Sequence, residues 1–170
     1  MSALFGPNRR ARLSLAWVPL LFVACATYSP ASFPPGTPSS QVGQSMGKPT
    51  GEYRLPDGGR RLEYARGPMG KHTYMLDFDA QDRLVKWEQV LSEANFLTLP
   101  PGMTKQELLE RVGHPSDAAY YPRLQQQVWS YRYDNPFCLW LQVNMDASDR
   151  VTGAGTAPDP LCTDTRSRMR

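Results

Sequence analysis

The chain has 170 residues, with 19 Lys and Arg against 16 Asp and Glu, three cysteines and two histidines. That length holds one core, or two small lobes sharing one; two independent domains are disfavoured because each would be near the size at which a lone core becomes marginal. The excess positive charge lies wholly in Arg9, Arg10 and Arg12, so the remainder balances 16 bases against 16 acids and lacks the electrostatic footprint that nucleic acid binding needs.

Residues 1–24 read as a secretory signal. Three arginines and no acid precede Leu13 to Val23, an apolar run of eleven residues, which is too short to span a hydrocarbon core of roughly 30 Å. The run ends Phe22-Val23-Ala24-Cys25. A small residue before cysteine resembles the lipobox of bacterial lipoproteins, with Phe22 standing where leucine is usual; an ordinary cleavable signal or an uncleaved anchor is the alternative. The resemblance implies that Cys25 is lipidated and begins the mature chain. Ala26, in place of the aspartate of inner-membrane retention, implies the periplasmic face of the outer membrane. Residues 25–36, rich in Pro, Ser and Ala, read as a flexible tether.

Residues 37–91 read as a first helix-plus-sheet unit. Thr37 can cap a short helix with Pro38 at its first position, with Val42 and Met46 on the buried side and Gly47 and Pro49 ending it. The stretch to Gly59 is rich in turn residues, and Pro56-Asp57-Gly58-Gly59 is a turn. Alternation follows: Leu62 and Tyr64 face one way, Arg61 and Glu63 the other; Tyr74, Leu76 and Phe78 line a second strand; and the turn Asp79 to Asp82 leads into Leu84 to Leu91. This predicts a three-stranded antiparallel meander.

Residues 92–101 link the units, and Phe96, Leu97 and Leu99 are apolar enough to pack between lobes. Residues 102–162 repeat the scheme. Thr104 and Glu107 form a capping box, Met103 a staple on Leu108, and Leu108, Leu109 and Val112 the apolar stripe of a helix stopped by Gly113 and Pro115. Trp129, Tyr131 and Tyr133, then Leu139, Leu141, Val143 and Met145, predict two strands, and a short third lies near Val151. A shift of 66 residues superposes Pro34-Pro35-Gly36 on Pro100-Pro101-Gly102 and Gly47-Lys48-Pro49 on Gly113-His114-Pro115; a shift of 67 superposes Asp82-Arg83-Leu84 on Asp149-Arg150-Val151. The pattern is that of an internal duplication, and the predicted fold class is α+β, a tandem repeat of a short helical segment and a three-stranded antiparallel sheet. Residues 163–170 are expected to be a disordered tail.

Lipidation of Cys25 leaves Cys138 and Cys162 as an even pair in an oxidising compartment, and a disulfide between them is expected, two reduced and buried thiols being the alternative. Candidate chemistry is sparse. His114 occupies the helix stop where the first unit has Lys48, which suits an exposed residue and not a base or ligand. Asp77, Asp79 and Asp82 resemble a calcium loop only loosely, since the glycine and closing glutamate of an EF-hand are missing and aspartate is ordinary at such turns. No catalytic residue, metal or cofactor is expected, and the chain reads as a non-enzyme. The surplus is aromatic and apolar. If Leu139, Leu141 and Val143 face the core, Trp140 turns outward, and with Tyr133, Trp87 and Met75 it makes a candidate protein interface; the alternative is that these residues are covered between the lobes.

Pro101, Gly102, Met103 and Thr104, then Gly113 and Pro115, then Trp129 and Tyr131, together with the lipoprotein signal, resemble the SmpA/OmlA group of outer-membrane lipoproteins with the BamE-like fold. The resemblance implies two helices on a three-stranded sheet. It also implies a non-catalytic role in envelope integrity or outer-membrane protein assembly, with envelope or barrel-assembly proteins as partners. This chain departs from the group in being duplicated. Tandem units of this size also resemble the β-lactamase inhibitor protein, which implies, as the alternative, inhibition of a periplasmic hydrolase.

Overall fold

A computed structural model describes residues 28–162; the signal, Cys25 and the tail beyond residue 162 lie outside the described residues. The elements run α1 (Ser39–Met46), β1 (Gly51–Arg54), β2 (Arg60–Ala65), β3 (Thr73–Phe78), β4 (Leu84–Gln89), α2 (Glu93–Leu97), α3 (Lys105–Val112), β5 (Asp117–Tyr121), β6 (Gln126–Arg132), β7 (Leu139–Met145) and β8 (Val151–Pro158). They make two four-stranded antiparallel sheets of order β1-β2-β3-β4 and β5-β6-β7-β8. The expected three-stranded unit is therefore corrected, and with it the BamE-like and β-lactamase-inhibitor-like fold assignment. The added strands are β1 and β5, which follow each helix stop. Gly-Glu-Tyr-Arg is too short for alternation to register, and Asp-Ala-Ala-Tyr-Tyr has no buried residue to mark an inner face.

Both halves use one device to join helix to sheet. Gly36 N–H donates to Leu84 O at 2.7 Å and Leu84 N–H to Thr37 O at 2.8 Å; Gly102 N–H donates to Val151 O at 2.7 Å and Val151 N–H to Met103 O at 2.8 Å. Asp79 and Asp146 close the hairpins that carry Leu84 and Val151, each accepting two backbone N–H groups through one carboxylate oxygen. α3 starts at the capping box, with Thr104 N–H donating to Glu107 Oε2 at 2.7 Å and Glu107 N–H to Thr104 Oγ1 at 3.2 Å. α1 starts differently: Pro38 is its cap and donates nothing, while the Thr37 hydroxyl turns back to Pro34 O at 2.7 Å. Residues 28–36 are not a free tether over their described part. Pro30–Ser32 form a 3-10 turn, Phe33 is buried in the first core, and Arg66 lies 3.8 Å over the Tyr28 ring.

The layers are stacked in series. On one face of the first sheet Leu62, Tyr64, Tyr74, Leu76 and Phe78 pack against Val42 and Met46 of α1. Its other face presents Tyr53 and Met75, which join Leu108 and Val112 of α3 and, beyond them, Trp129, Tyr131, Leu141, Val143 and Met145 of the second sheet. α3 thus lies between the sheets and shields apolar side chains on both sides, each fully buried aliphatic residue contributing about 2 kcal/mol. Among the described residues, no helix covers the far face of the second sheet. A Cβ placed on Gly153 or Gly155 there would meet nothing within 4 Å.

Candidate functional site

The site on which the apolar surplus converges is a groove between α2 and the strands β7 and β8. α2 is a five-residue helix. Ser92 Oγ caps it by accepting the Asn95 N–H at 3.3 Å, and the Asn95 amide ties it back to Glu88 Oε1 and Val90 O at 3.1 Å each. Phe96 points inward and meets the Tyr131 ring edge-on, centroids 5.1 Å apart. With Phe96 turned inward, the next side chain, Leu97, must point out, and it is 78% exposed.

The opposite wall comes from the loop between β6 and β7. Asn135 organises it: Oδ1 accepts the N–H groups of Phe137 and Leu139 at 3.0 and 3.1 Å, and Nδ2 donates to the carbonyls of Tyr133 and Leu139 at 3.1 and 3.0 Å. The loop is further held by the disulfide between Cys138 and Cys162, whose Cα atoms are 6.3 Å apart. On this stiffened tip the Phe137 ring is 76% exposed. Between the walls, Leu139, Leu141, Ala154 and Thr156 form the floor of a groove of about 430 Å³. Glu93 is the one ionisable side chain lining it. Its carboxylate accepts the Tyr133 hydroxyl at 2.5 Å; burial, and then this bond, push the Tyr133 phenol up to about 12.

The residues proposed from sequence as an interface fall elsewhere. Met75 is buried in the core shared by the lobes. Tyr133 is buried, with only its hydroxyl reaching the groove through Glu93. Trp140 does face away from Leu139 and Leu141, yet it is buried: the Arg132 guanidinium stacks 4.6 Å over its ring, and Arg132 is held there by Asp159 at 2.9 Å. The reason is the segment after β8, which the disulfide draws back across the outer face. Trp87, 39% exposed, remains at the surface with its ring against Tyr74. Leu97 and Phe137 were not read as surface groups. The signal for Phe137 was Asn135-Pro136 before it, a turn that lifts the next side chain off the sheet.

No family model and no curated protein matches this chain. Among solved structures it is similar to a cysteine-rich secretory protein of Staphylococcus aureus, with 13% identity, 77% of this chain and 47% of that one covered, and a TM-score of 0.29. It is also similar to an extracellular protein containing an SCP domain from Bacillus anthracis, with 9% identity, coverage of 96% and 53%, and a TM-score of 0.29. The chain spans about half the length of each. At that score the likeness carries no inference about activity. Neither is described as a SmpA/OmlA lipoprotein. The resemblance read from Pro101 to Thr104, Gly113, Pro115, Trp129 and Tyr131 is corrected by the fold, since each sheet has four strands and no family model matches: a capping box, a Gly-x-Pro stop and a Trp-x-Tyr strand are general solutions for a helix laid on a sheet.

A second constellation sits where the lobes meet. Glu63, on the inner face of the first sheet, has no exposed surface. Its oxygens accept Thr50 Oγ1 at 3.0 Å, the Tyr53 hydroxyl at 2.7 Å and the His114 N–H at 3.0 Å, and the His114 Nδ1 lies 2.8 Å from Oε2. Burial, and then this carboxylate, push the Tyr53 phenol well above its ordinary value. Beside it Arg61 pairs with Asp77 at 2.6 and 2.9 Å and donates to Glu110 O, a terminal carbonyl of α3, at 3.0 Å. The whole constellation grips the C-terminal end of α3, so it is a seat for one lobe on the other.

Proposed function

We propose that this chain is a non-catalytic protein-interaction module, held by a lipid on Cys25 at the periplasmic face of the outer membrane, and that the groove between α2 and β7–β8 receives a partner in the cell envelope. One observation carries the reading: two large apolar side chains, Leu97 at 78% and Phe137 at 76% exposure, stand on facing walls of a groove with an apolar floor. Holding both in water is unfavourable, by about 1.5 to 3 kcal/mol for each relative to full burial, and rigidly presented apolar anchors are what interface hot spots are made of. The walls are stiffened by Asn135, the disulfide and the α2 cap, which lowers the ordering cost of binding.

The test is co-purification from detergent-solubilised envelopes with mass spectrometry, comparing wild type, Leu97→Asp, Phe137→Asp and Cys25→Ala. The expected result is a set of envelope proteins recovered with wild type and lost from both groove variants at unchanged thermal stability, while Cys25→Ala leaves the membrane fraction. Identical recovery by wild type and both groove variants overturns the reading. Recovery of one soluble hydrolase by anchored and unanchored forms alike would replace it with inhibition.

A further inference from the structure

We propose that the partner is held as an extended strand added to the outer edge of β8, with apolar side chains at alternate positions entering the groove and a Lys or Arg reaching Glu93. This rests on the groove being the binding site and says how it is filled.

The argument starts from the four strands that end the sheets, because an edge presents unpaired backbone groups that proteins ordinarily blunt with charge, bulges or brevity. β1 is four residues long and carries Glu52 and Arg54. β4 carries Lys86 and Glu88, and its register slips at Asp77/Phe78. β5 opens on Asp117. β8, Val-Thr-Gly-Ala-Gly-Thr-Ala-Pro, is eight residues long and bears no charge. It ends its sheet and pairs with β7 on one side. On the other side Val151 is closed by the segment at Gly102 and Met103. Among the described residues, no strand or bridge pairs with the outer side of 152–158.

Alternation then joins this edge to the groove. Ala154 and Thr156 lie opposite Val143 and Leu141 and so belong to the inner face. A strand laid beside β8 continues that row with every second side chain, between Phe96 and Leu97 on one wall and Phe137 on the other. Its remaining side chains fall beside Gly153 and Gly155, over which there is open space. Backbone bonds would supply affinity, and the groove the selection of alternate side chains.

Charge separates a foreign partner from a second copy. α2 and β8 carry no lysine or arginine, and Glu93 is the groove's one ionisable group. Two copies joined edge to edge would supply no cation to either Glu93 from these elements. A partner segment with a basic residue does.

The experiment uses full-length protein in detergent micelles and synthetic peptides of about eight residues with valine at alternate positions and a terminal lysine. One control carries glutamate for lysine, and another carries N-methyl groups on alternate amides. The expected result is binding by the lysine peptide with slowed hydrogen exchange at 152–158, weakening of about tenfold with glutamate, and loss with N-methylation or with Phe137→Asp. If the N-methylated peptide binds within about twofold, or the amides of 152–158 are unprotected, strand addition is overturned; the groove reading survives if Phe137→Asp still abolishes binding. No binding by any alternating peptide at about 1 mM overturns the inference, and so does pairing of two copies through β8 in sedimentation, whereas the co-purification result independently decides the groove.

Discussion

Removing the Glu63 carboxylate tests whether the two lobes are held by a polar seat or merely by apolar contact. Glu63→Ala leaves the buried Tyr53 hydroxyl and the His114 N–H without the acceptor that each now has at 2.7 and 3.0 Å. An orphaned buried donor costs about 1 to 3 kcal/mol, and the part-buried His114 N–H belongs at the low end of that range. The space left by the side chain adds about 1 kcal/mol, because Gly51 and Gly113 both close on it. The expected loss is therefore about 4 kcal/mol, the sum of two donors and a small cavity. Urea denaturation read by tryptophan fluorescence measures it. Tyr53→Phe alone should cost about 1 kcal/mol, and the double variant should lose less than the two singles combined by at least about 1 kcal/mol, because the hydroxyl has nothing to lose once its acceptor is gone. A loss below about 1 kcal/mol for Glu63→Ala, or strict additivity with Tyr53→Phe, would refute the seat.

Three other outcomes follow from positions already described. Gly47 and Gly113 have nearly the same backbone, φ +84° and +81°, but an added Cβ meets nothing at Gly47 and comes within 2.9 Å of Glu63 Cδ at Gly113. Gly47→Ala should cost about 1 to 2 kcal/mol for conformation alone, Gly113→Ala measurably more, and equal losses in a denaturation titration would refute the close contact. Asp159 is raised by burial but brought below the usual carboxylate range by Arg132 and the Leu161 N–H; burial likewise raises Asp82, while Ser39 and Arg60 bring it lower. A depressed folded-state value gives stability that is complete above the unfolded value of about 4 and is lost as pH falls through the folded one. The melting temperature should thus drop on acidification below about pH 4, and less so in Asp159→Asn; parallel acid slopes for the two proteins would sink the assignment. Cys138→Ser together with Cys162→Ser opens a covalent loop of sequence separation 24, which should lower stability by about 3.5 kcal/mol in the chain-entropy model and release the segment over Trp140, seen as faster hydrogen exchange at 158–162.

What could be read from the sequence was what is local. The α3 capping box spans four residues and needs no tertiary partner, and its two bonds are present. β2, β3, β6 and β7 announce themselves by alternation, because large apolar side chains recur at every second position of each. β1 and β5 did not, since an edge strand half in water carries little pattern. Alternation puts Glu63 on the face opposite Leu62, which is where it lies, but does not show that α3 covers that face. Its partner His114 is 51 residues away; it is exposed, as a helix stop suggests, yet turns its N–H and Nδ1 to this carboxylate. Trp140 illustrates the converse. Its side of the strand follows from alternation, whereas its burial depends on Arg132 and on Asp159 in the segment that the disulfide draws back to Cys138, contacts that alternation along one strand does not show. Leu97 is apolar enough to suggest packing between lobes, but the five residues of α2 turn Phe96 inward and leave Leu97 outside.

The series α1, first sheet, α3, second sheet has a direction. The end of α3 is seated on the sheet before it, whereas the corresponding face of the second sheet has Ser130 where the register puts Glu63 and Ala119 where it puts Tyr53. That face of the second sheet therefore lacks the acceptor and the phenol that seat a helix end on the first. Without that seat the face escapes the packing demand that filled the first sheet with Tyr53, Glu63 and Met75, and β8 carries Gly153 and Gly155 there. Two copies of one architecture thereby come to hold different offices by position alone: the earlier is a hinge plate, and the later is a frontier.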